Sequence, residues 1–122
     1  KIYIYSDLEE GALMARPAFR IDGKFYTDND WDRAIREGKE SSSLTKEEKR
    51  DISLTILCYS YAVRELCVQY KRAVPTVIKL IYDAKTRQVR AQYGYERLKS
   101  LSEYDDNARC RMWFDEIRAK NL

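Results

Sequence analysis

Histidine is absent from this chain of 122 residues. That absence excludes Ser-His-Asp and Cys-His catalysis, and it removes the most common metal ligand and proton shuttle. The four glycines all stand singly, so the chain contains no glycine-rich loop that would cradle a phosphate. No apolar run is long enough to span a bilayer, and we therefore expect no membrane association. These absences predict a protein that is not an enzyme and holds no cofactor, although carboxylate-pair chemistry stays open.

Cysteine occurs at three positions, Cys58, Cys67 and Cys110. The first two lie on one predicted helix, about 13 Å apart along its axis, which is too far for a disulfide. An odd count without a CxxC pair favours a reducing compartment, so we expect free, buried thiols in a cytoplasmic protein.

The composition, 44% hydrophobic and 35% charged, is typical of a single water-soluble globular domain that spans residues 1–122. A net charge of +3 neither demands nor excludes a nucleic-acid partner. The chain starts at Lys1 and enters a strand-like stretch at once, which predicts that an N-terminal segment precedes it.

Residues 45–73 are predicted to form one long helix that organises the fold. Thr45 can cap its first turn, and Pro75 prevents continuation because it has no N–H to donate. The apolar spacing of three and four residues predicts an inward face made of Ile52, Ile56, Tyr59, Val63, Leu66 and Tyr70. We therefore expect truncation of Ile56 or Leu66 to alanine to cost about 2–5 kcal/mol.

Strands are predicted on both sides of this helix. Residues 1–7 are apolar on both faces of a predicted strand, which indicates an inner position in the sheet. Asp22-Gly23 predicts a tight hairpin turn. Pro17 fits an edge position or a bulge better than a central one. Residues 76–95 predict a second antiparallel hairpin, whose core-facing side chains are Val89, Ala91, Tyr93 and Tyr95.

Two shorter helices complete the prediction, at residues 27–38 and 106–120. Their predicted inner residues are Trp31, Ala34 and Ile35 in the first helix, and Cys110, Trp113, Phe114 and Ile117 in the second. The order of elements predicts an α+β fold, in which an antiparallel sheet of about four strands packs against one long central helix and a C-terminal helix. We expect the helices on one face of that sheet.

Two acidic clusters are candidate contact surfaces for a basic partner. The predicted partner-binding residues are Asp28, Asp30, Trp31, Asp32, Glu96, Glu103, Asp105 and Asp106. Both clusters lie at predicted helix N-termini, where the helix dipole favours carboxylates, so a structural role is the alternative. The first cluster resembles part of a calcium loop but lacks the glycine and the distal glutamate at their required offsets, and no metal site is predicted.

A basic hairpin tip, formed by Lys85, Arg87 and Arg90, offers a second interpretation. Together with ten tyrosines it suggests single-stranded nucleic-acid binding by stacking. Several of those tyrosines lie on predicted core faces, so this interpretation, a small nucleic-acid-binding or phage-type regulatory module, is the alternative.

The chain in this order resembles the YezG-like family of immunity proteins, the antitoxins of polymorphic toxins. The resemblance rests on four stretches: YIYSDLEEG, LTKEEKRD, VPTVIKLIYDAKTRQVRAQYGYERL and RMWFDEI. Members of that family tend to begin with a helix ahead of the first strand, which agrees with the expected upstream segment.

The resemblance implies a small cytoplasmic immunity protein that binds one cognate toxin domain and blocks it by stoichiometric occlusion. A nuclease toxin presents a basic groove, which the predicted acidic clusters would fit. A small enzyme with carboxylate chemistry is the third interpretation.

Overall fold

The computed structural model describes residues 1–9, 13–39, 46–96 and 105–122. The strands are β1 (Ile2–Asp7), β2 (Met14–Ile21), β3 (Lys24–Thr27), β4 (Val77–Asp83) and β5 (Gln88–Gly94). The helices are α1 (Asp28–Arg36), α2 (Lys46–Gln69) and α3 (Asp106–Lys120). All strand pairs are antiparallel, in the order β3-β2-β1-β4-β5. The predicted α+β class is therefore confirmed, with five strands instead of about four because the short β3 pairs with β2 as a full strand.

The first strand lies at the centre of the sheet, as its two apolar faces predict. Tyr3 and Tyr5 are buried on one face, while Ile2 and Ile4 are half-buried on the other. Because β1 lies between β2 and β4, both of its edges are hydrogen-bonded along its length.

The hairpin between β2 and β3 turns at Asp22 and Gly23, whose φ angles of 50° and 78° are those of a primed two-residue turn. Pro17 lies in the inner strand β2, but at a position that β3 does not reach. The alternation of hydrogen bonds turns its nitrogen towards β3, and β3 ends at Thr27, opposite Ala18. The missing N–H of Pro17 therefore leaves no gap in the ladder.

The main core lies between α3 and one face of the sheet. The predicted inner stripe of α3 is confirmed, since Cys110, Trp113, Phe114 and Ile117 are all buried. Trp113 packs edge-on against Tyr3, with ring centroids 6.4 Å apart, and Phe25 contacts both Tyr3 and Phe114. The first turn of α3 is capped by Asp105, which accepts from the N–H of Ala108 at 2.7 Å.

The long helix α2 lies on the opposite face of the sheet, so the expectation of helices on one face is wrong. The Oγ atoms of Ser6 on β1 and Ser60 on α2 are 2.9 Å apart and buried. Ser6 points away from the face that holds Tyr3 and Tyr5, because neighbouring strand residues alternate. The helix is also shorter than predicted, since Lys71 takes a left-handed φ of 54° and stops it. The proposed cap Thr45 lies outside the described residues.

The predicted inward face of α2 is wrong in part. The residues turned towards the sheet surround Ser60 and are Ser53, Ile56, Leu57, Val63, Arg64 and Cys67. Tyr59, Leu66 and Tyr70 are exposed by 71%, 52% and 68%. Apolar residues flank this face on both sides, and with Ser60 against Ser6 those flanks are exposed.

The predicted core face of the second hairpin is also wrong. Val89, Ala91, Tyr93 and Tyr95 are exposed, because α2 packs mainly on β2 and leaves this part of the sheet uncovered. Cys58, Cys67 and Cys110 form no disulfide, as predicted, but Cys58 is exposed and of the three only Cys110 is fully buried.

Candidate partner-binding surface

The outward side of α2 is the first candidate surface. Six large apolar side chains, here called the outer α2 surface, are between 41% and 71% exposed. They form two rows on opposite flanks of the helix: Ile52, Tyr59 and Leu66 on one flank, and Leu54, Tyr61 and Val68 on the other. The face of α2 that the sheet covers is narrower than the apolar stripe, which leaves both rows exposed. Sequence analysis recognised the breadth of this apolar stripe but assigned it to the core.

The uncovered part of the sheet beside α2 adds a second apolar area, here called the β5 face. Val89 and Tyr93 are 58% and 54% exposed, and strand register places them on the same face as α2. Their neighbours on that face are the half-buried β4 residues Ile78, Leu80 and Tyr82. The apolar area on this face therefore runs across β4 and β5 to the edge of the sheet.

An apolar cavity of about 120 Å³ lies where α1, α2 and β2 meet. Trp31 of α1, Phe19 of β2 and Ile52 of α2 line it, and Asp28 lies at its rim. Trp31 is held by Tyr26, with ring centroids 5.1 Å apart in an edge-on arrangement. Since Ile52 belongs to both, the cavity continues the row of Ile52, Tyr59 and Leu66.

The first acidic cluster, on α1, has a clear structural role in one member. Asp30 accepts from the N–H of Thr27 while Thr27 accepts from the N–H of Asp30, which forms a capping box. Asp30 also bonds Arg118 of α3 at 3.1 Å. Asp28 and Asp32 line a wide surface depression together with three arginines, Arg33, Arg36 and Arg50. The cluster is therefore interleaved with positive charge.

The second acidic cluster is far from the first. Asp105 caps α3 at one end, and Arg118, the partner of Asp30, lies near the other end. Arg118 lies thirteen positions after Asp105, a length of about 20 Å along the helix. Glu96 is exposed after β5, Asp106 is the first residue of α3, and Glu103 lies outside the described residues. The structure therefore does not bring the predicted acidic residues together.

A buried polar group, missed by sequence analysis, joins β1 to α3. The guanidinium of Arg109 donates to the Asp7 carboxylate at 2.7 Å, with the two side chains 10% and 0% exposed. Arg109 also bonds the hydroxyl of Tyr5, and burial raises the pKa of Tyr5 to about 12 against the opposing effect of Arg109. The available sequence signal was Asp7 at the end of an otherwise apolar strand.

These features define an α+β protein whose five-stranded sheet is well covered on one face and only partly covered on the other. No protein-family model matches the sequence, and a search of curated proteins found no match. None of the helices in the described ranges is long and apolar enough to cross a membrane. In those same ranges, no three metal-ligating side chains of His, Cys, Asp or Glu cluster.

Proposed function

We propose that this protein acts by binding another protein rather than by catalysis, as a cytoplasmic immunity protein that occludes a cognate toxin domain. The observation that supports binding is the exposure of the outer α2 surface, which reaches 71% at Tyr59. Extended apolar patches on a folded chain mark interaction sites, because leaving them in water costs free energy. The toxin as partner comes from the family resemblance.

The chemistry of the surface fits a protein partner. Tyr59, in the row that leads to Trp31, combines a large apolar body with a polar hydroxyl, the combination found at binding hot spots, and Tyr61 offers the same on the opposite flank. Trp31 lies at one end of the surface, beside a cavity that would accept an apolar side chain of the partner. We place the anchor of the interface along α2 and towards Trp31.

Charge supplies a local rather than a global contribution. Asp28 at the cavity rim and Asp32 beside it can meet a basic groove of a nuclease toxin and speed encounter. Asp30 and Asp105 stabilise helix starts, so we assign them to the fold first. This distinction matters for the design of variants.

A growth assay tests the proposal. The toxin domain encoded beside this protein is expressed with wild-type protein, with Tyr59→Glu and with Leu66→Glu. Both side chains are more than half exposed, so the variants are expected to fold while their affinity for the toxin falls about tenfold or more. Gln69→Glu, at an exposed polar position of the same helix, is the matched control and is expected to protect like the wild type.

Two variants test the prediction that the acidic residues bind the partner. Both leave Asp30 unchanged and keep a capping side chain at the start of α3. One variant combines Asp28→Lys with Asp32→Lys, and the other combines Glu96→Lys and Glu103→Lys with Asp105→Asn, which retains a capping side chain. If both variants are folded and still bind and protect, the acidic assignment is wrong. If the wild-type protein neither binds nor protects against a toxin domain encoded beside it, the immunity proposal is wrong.

A nucleic-acid-binding module is the second candidate, favoured by the exposure of tyrosines that sequence analysis had assigned to the core. Tyr93 and Tyr95 are 54% and 57% exposed, but they lie at the end of β5 away from the basic hairpin tip of Lys85, Arg87 and Arg90. Arg90 and Tyr93, however, point to opposite faces of β5, so that strand does not pair a stacking ring with a phosphate contact. Salt-dependent retention of single-stranded RNA or DNA, lost in Lys85→Glu with Arg87→Glu, would favour this candidate.

A further inference from the structure

The two edges of the sheet are unequally protected. The edge strand β3 has four residues, and α1 follows it directly and packs beside it. The edge strand β5 has seven residues, is exposed from Gln88 to Tyr93, and contains no proline and a single charge, Arg90. Proteins usually blunt a long edge strand with charges, proline, a bulge or a cover. In the described part of the chain, β4 is the one strand that pairs with β5.

The free backbone groups of β5 follow from the sheet's hydrogen-bonding pattern. The N–H of Leu8 donates to the carbonyl of Thr76 at 2.9 Å, which assigns the even-numbered residues of β4 to β1. The odd-numbered residues of β4 therefore bond to the even-numbered residues of β5. The N–H and C=O groups of Val89, Ala91 and Tyr93 point away from the sheet.

The sequence of β5 is complementary to itself about its midpoint, Ala91. An antiparallel copy with a two-fold axis at Ala91 pairs all seven residues and places Val89 opposite Tyr93 of the other copy. Both residues lie on the apolar face, so the pair is a branched aliphatic against an aromatic. On the polar face Arg90 meets Gln92 of the other copy, and no like charges are opposed. An axis at Arg90 would instead oppose the two arginines.

We propose that this protein forms a symmetric dimer in which β5 pairs antiparallel with β5 of a second copy, with the two-fold axis at Ala91. The two sheets join into one of ten strands, twice the five of each chain. Val89 and Tyr93 of both copies then form the floor of an apolar trough between the two α2 helices. The dimer stands on the edge strand alone and does not depend on the proposed toxin partner.

Sedimentation of the isolated chain tests the dimer directly. We expect a dimer for the wild type, and a dissociation constant raised about tenfold or more for Ala91→Lys, because two lysines then face each other at the axis. Gln88→Lys is the matched control: its lysine faces Gly94 of the other copy and leaves the dimer intact. Circular dichroism confirms that each variant is folded.

Disulfide cross-linking tests the register, in a Cys58→Ser background that removes the exposed native thiol. In the proposed pairing the two Ala91 Cα atoms are about 5.5 Å apart, which suits a disulfide, so Ala91→Cys cross-links. Val89→Cys does not cross-link with itself, because its copies lie about 13 Å apart along the strands. A mixture of Val89→Cys and Tyr93→Cys cross-links as a heterodimer.

A wild-type chain that sediments as a monomer overturns the dimer, as does equal cross-linking of Val89→Cys and Ala91→Cys. A monomer whose Val89→Lys variant loses protection against a toxin places the partner on β5; the dimer is then wrong and the immunity proposal stands. If the chain is a dimer but protects against no toxin, the dimer stands and the immunity proposal is wrong.

Discussion

At the scale of single residues, the contact between Asp7 and Arg109 is the most consequential ion pair in the described part of the molecule. Both side chains are withdrawn from water, so the value of the pair lies chiefly in what its loss would leave behind. A surface pair of the same type, Arg118 with Asp30, keeps its side chains 50% and 31% exposed and is screened by solvent. The ion pairs of these two arginines of one helix thus differ in how far they are withdrawn from water.

We predict that Arg109→Ala lowers the free energy of unfolding by about 3–5 kcal/mol, since it strands the buried Asp7 carboxylate. Arg118→Ala, the matched control on the same helix, is expected to cost about 1 kcal/mol or less. Urea denaturation at neutral pH measures both. Equal losses for the two variants would contradict the assignment of Asp7 and Arg109 as a buried pair.

Because Tyr5 is buried, we predict that the protein loses stability in alkali. Burial raises its pKa to about 12 in the folded protein, while a tyrosine of the unfolded chain ionises near its ordinary pKa of 10. Between pH 10 and 12 the unfolded chain therefore releases a proton that the folded chain retains. The free energy of unfolding falls by up to about 1.4 kcal/mol per pH unit from this residue.

The variant Tyr5→Phe has no such proton, so its stability should fall less steeply between pH 10 and 12. Denaturation curves from pH 9 to 12 measure the two slopes, with Tyr59→Phe at an exposed tyrosine as the control. Parallel slopes for wild type and Tyr5→Phe would mean that Tyr5 is not protected by burial. Because the test compares slopes of proteins with the same lysines, the contribution of lysines that titrate in this range cancels from the difference.

At the scale of elements, the shorter helix α3 contributes more to the core than the longer helix α2. The 15 residues of α3 supply four of the most buried side chains, whereas the 24 residues of α2 bury Ser60 and expose most of their large apolar groups. A helix stabilises a fold through the area that it buries, not through its length. The core of this protein is therefore built by β1 and α3.

Truncation of one residue in each helix measures this difference. Ile117→Ala should cost about 2–5 kcal/mol because its side chain is fully buried beneath α3. Leu66→Ala should cost about 1 kcal/mol or less, because Leu66 is 52% exposed, and the earlier expectation for that residue is revised. A larger loss at Leu66 than at Ile117 would show that α2 is covered in solution by something more than the described chain.

At the scale of the whole molecule, the two faces of the sheet are covered unequally. One face is closed by α3 with a dense aromatic cluster around Trp113, and the other has α2 displaced towards β2. The uncovered strip and the outer α2 surface leave apolar groups in water, which favours association with another surface. The proposed partner occupies the helix and the proposed second copy occupies the edge strand, so both can bind at once.

The sequence by itself determined the features that depend on neighbouring residues. Turn chemistry at Asp22-Gly23 and the periodicity of Cys110, Trp113, Phe114 and Ile117 predicted a hairpin and a buried stripe, and both are present. Residues 1–7 predicted an inner strand because both of their faces are apolar. The stripe of α3 has one solution, because only one face of that helix is continuous and apolar.

Only the tertiary structure decided which face of α2 is buried and how far that helix covers the sheet. Apolar residues flank both sides of Ser60, so the periodicity allowed more than one rotation, and the structure has the one in which Ser60 meets Ser6 of β1. In that position α2 packs mainly on β2, and Val89 and Tyr93 stay exposed. The Asp7–Arg109 pair spans 102 positions of sequence, and no local pattern encodes a partner at that distance.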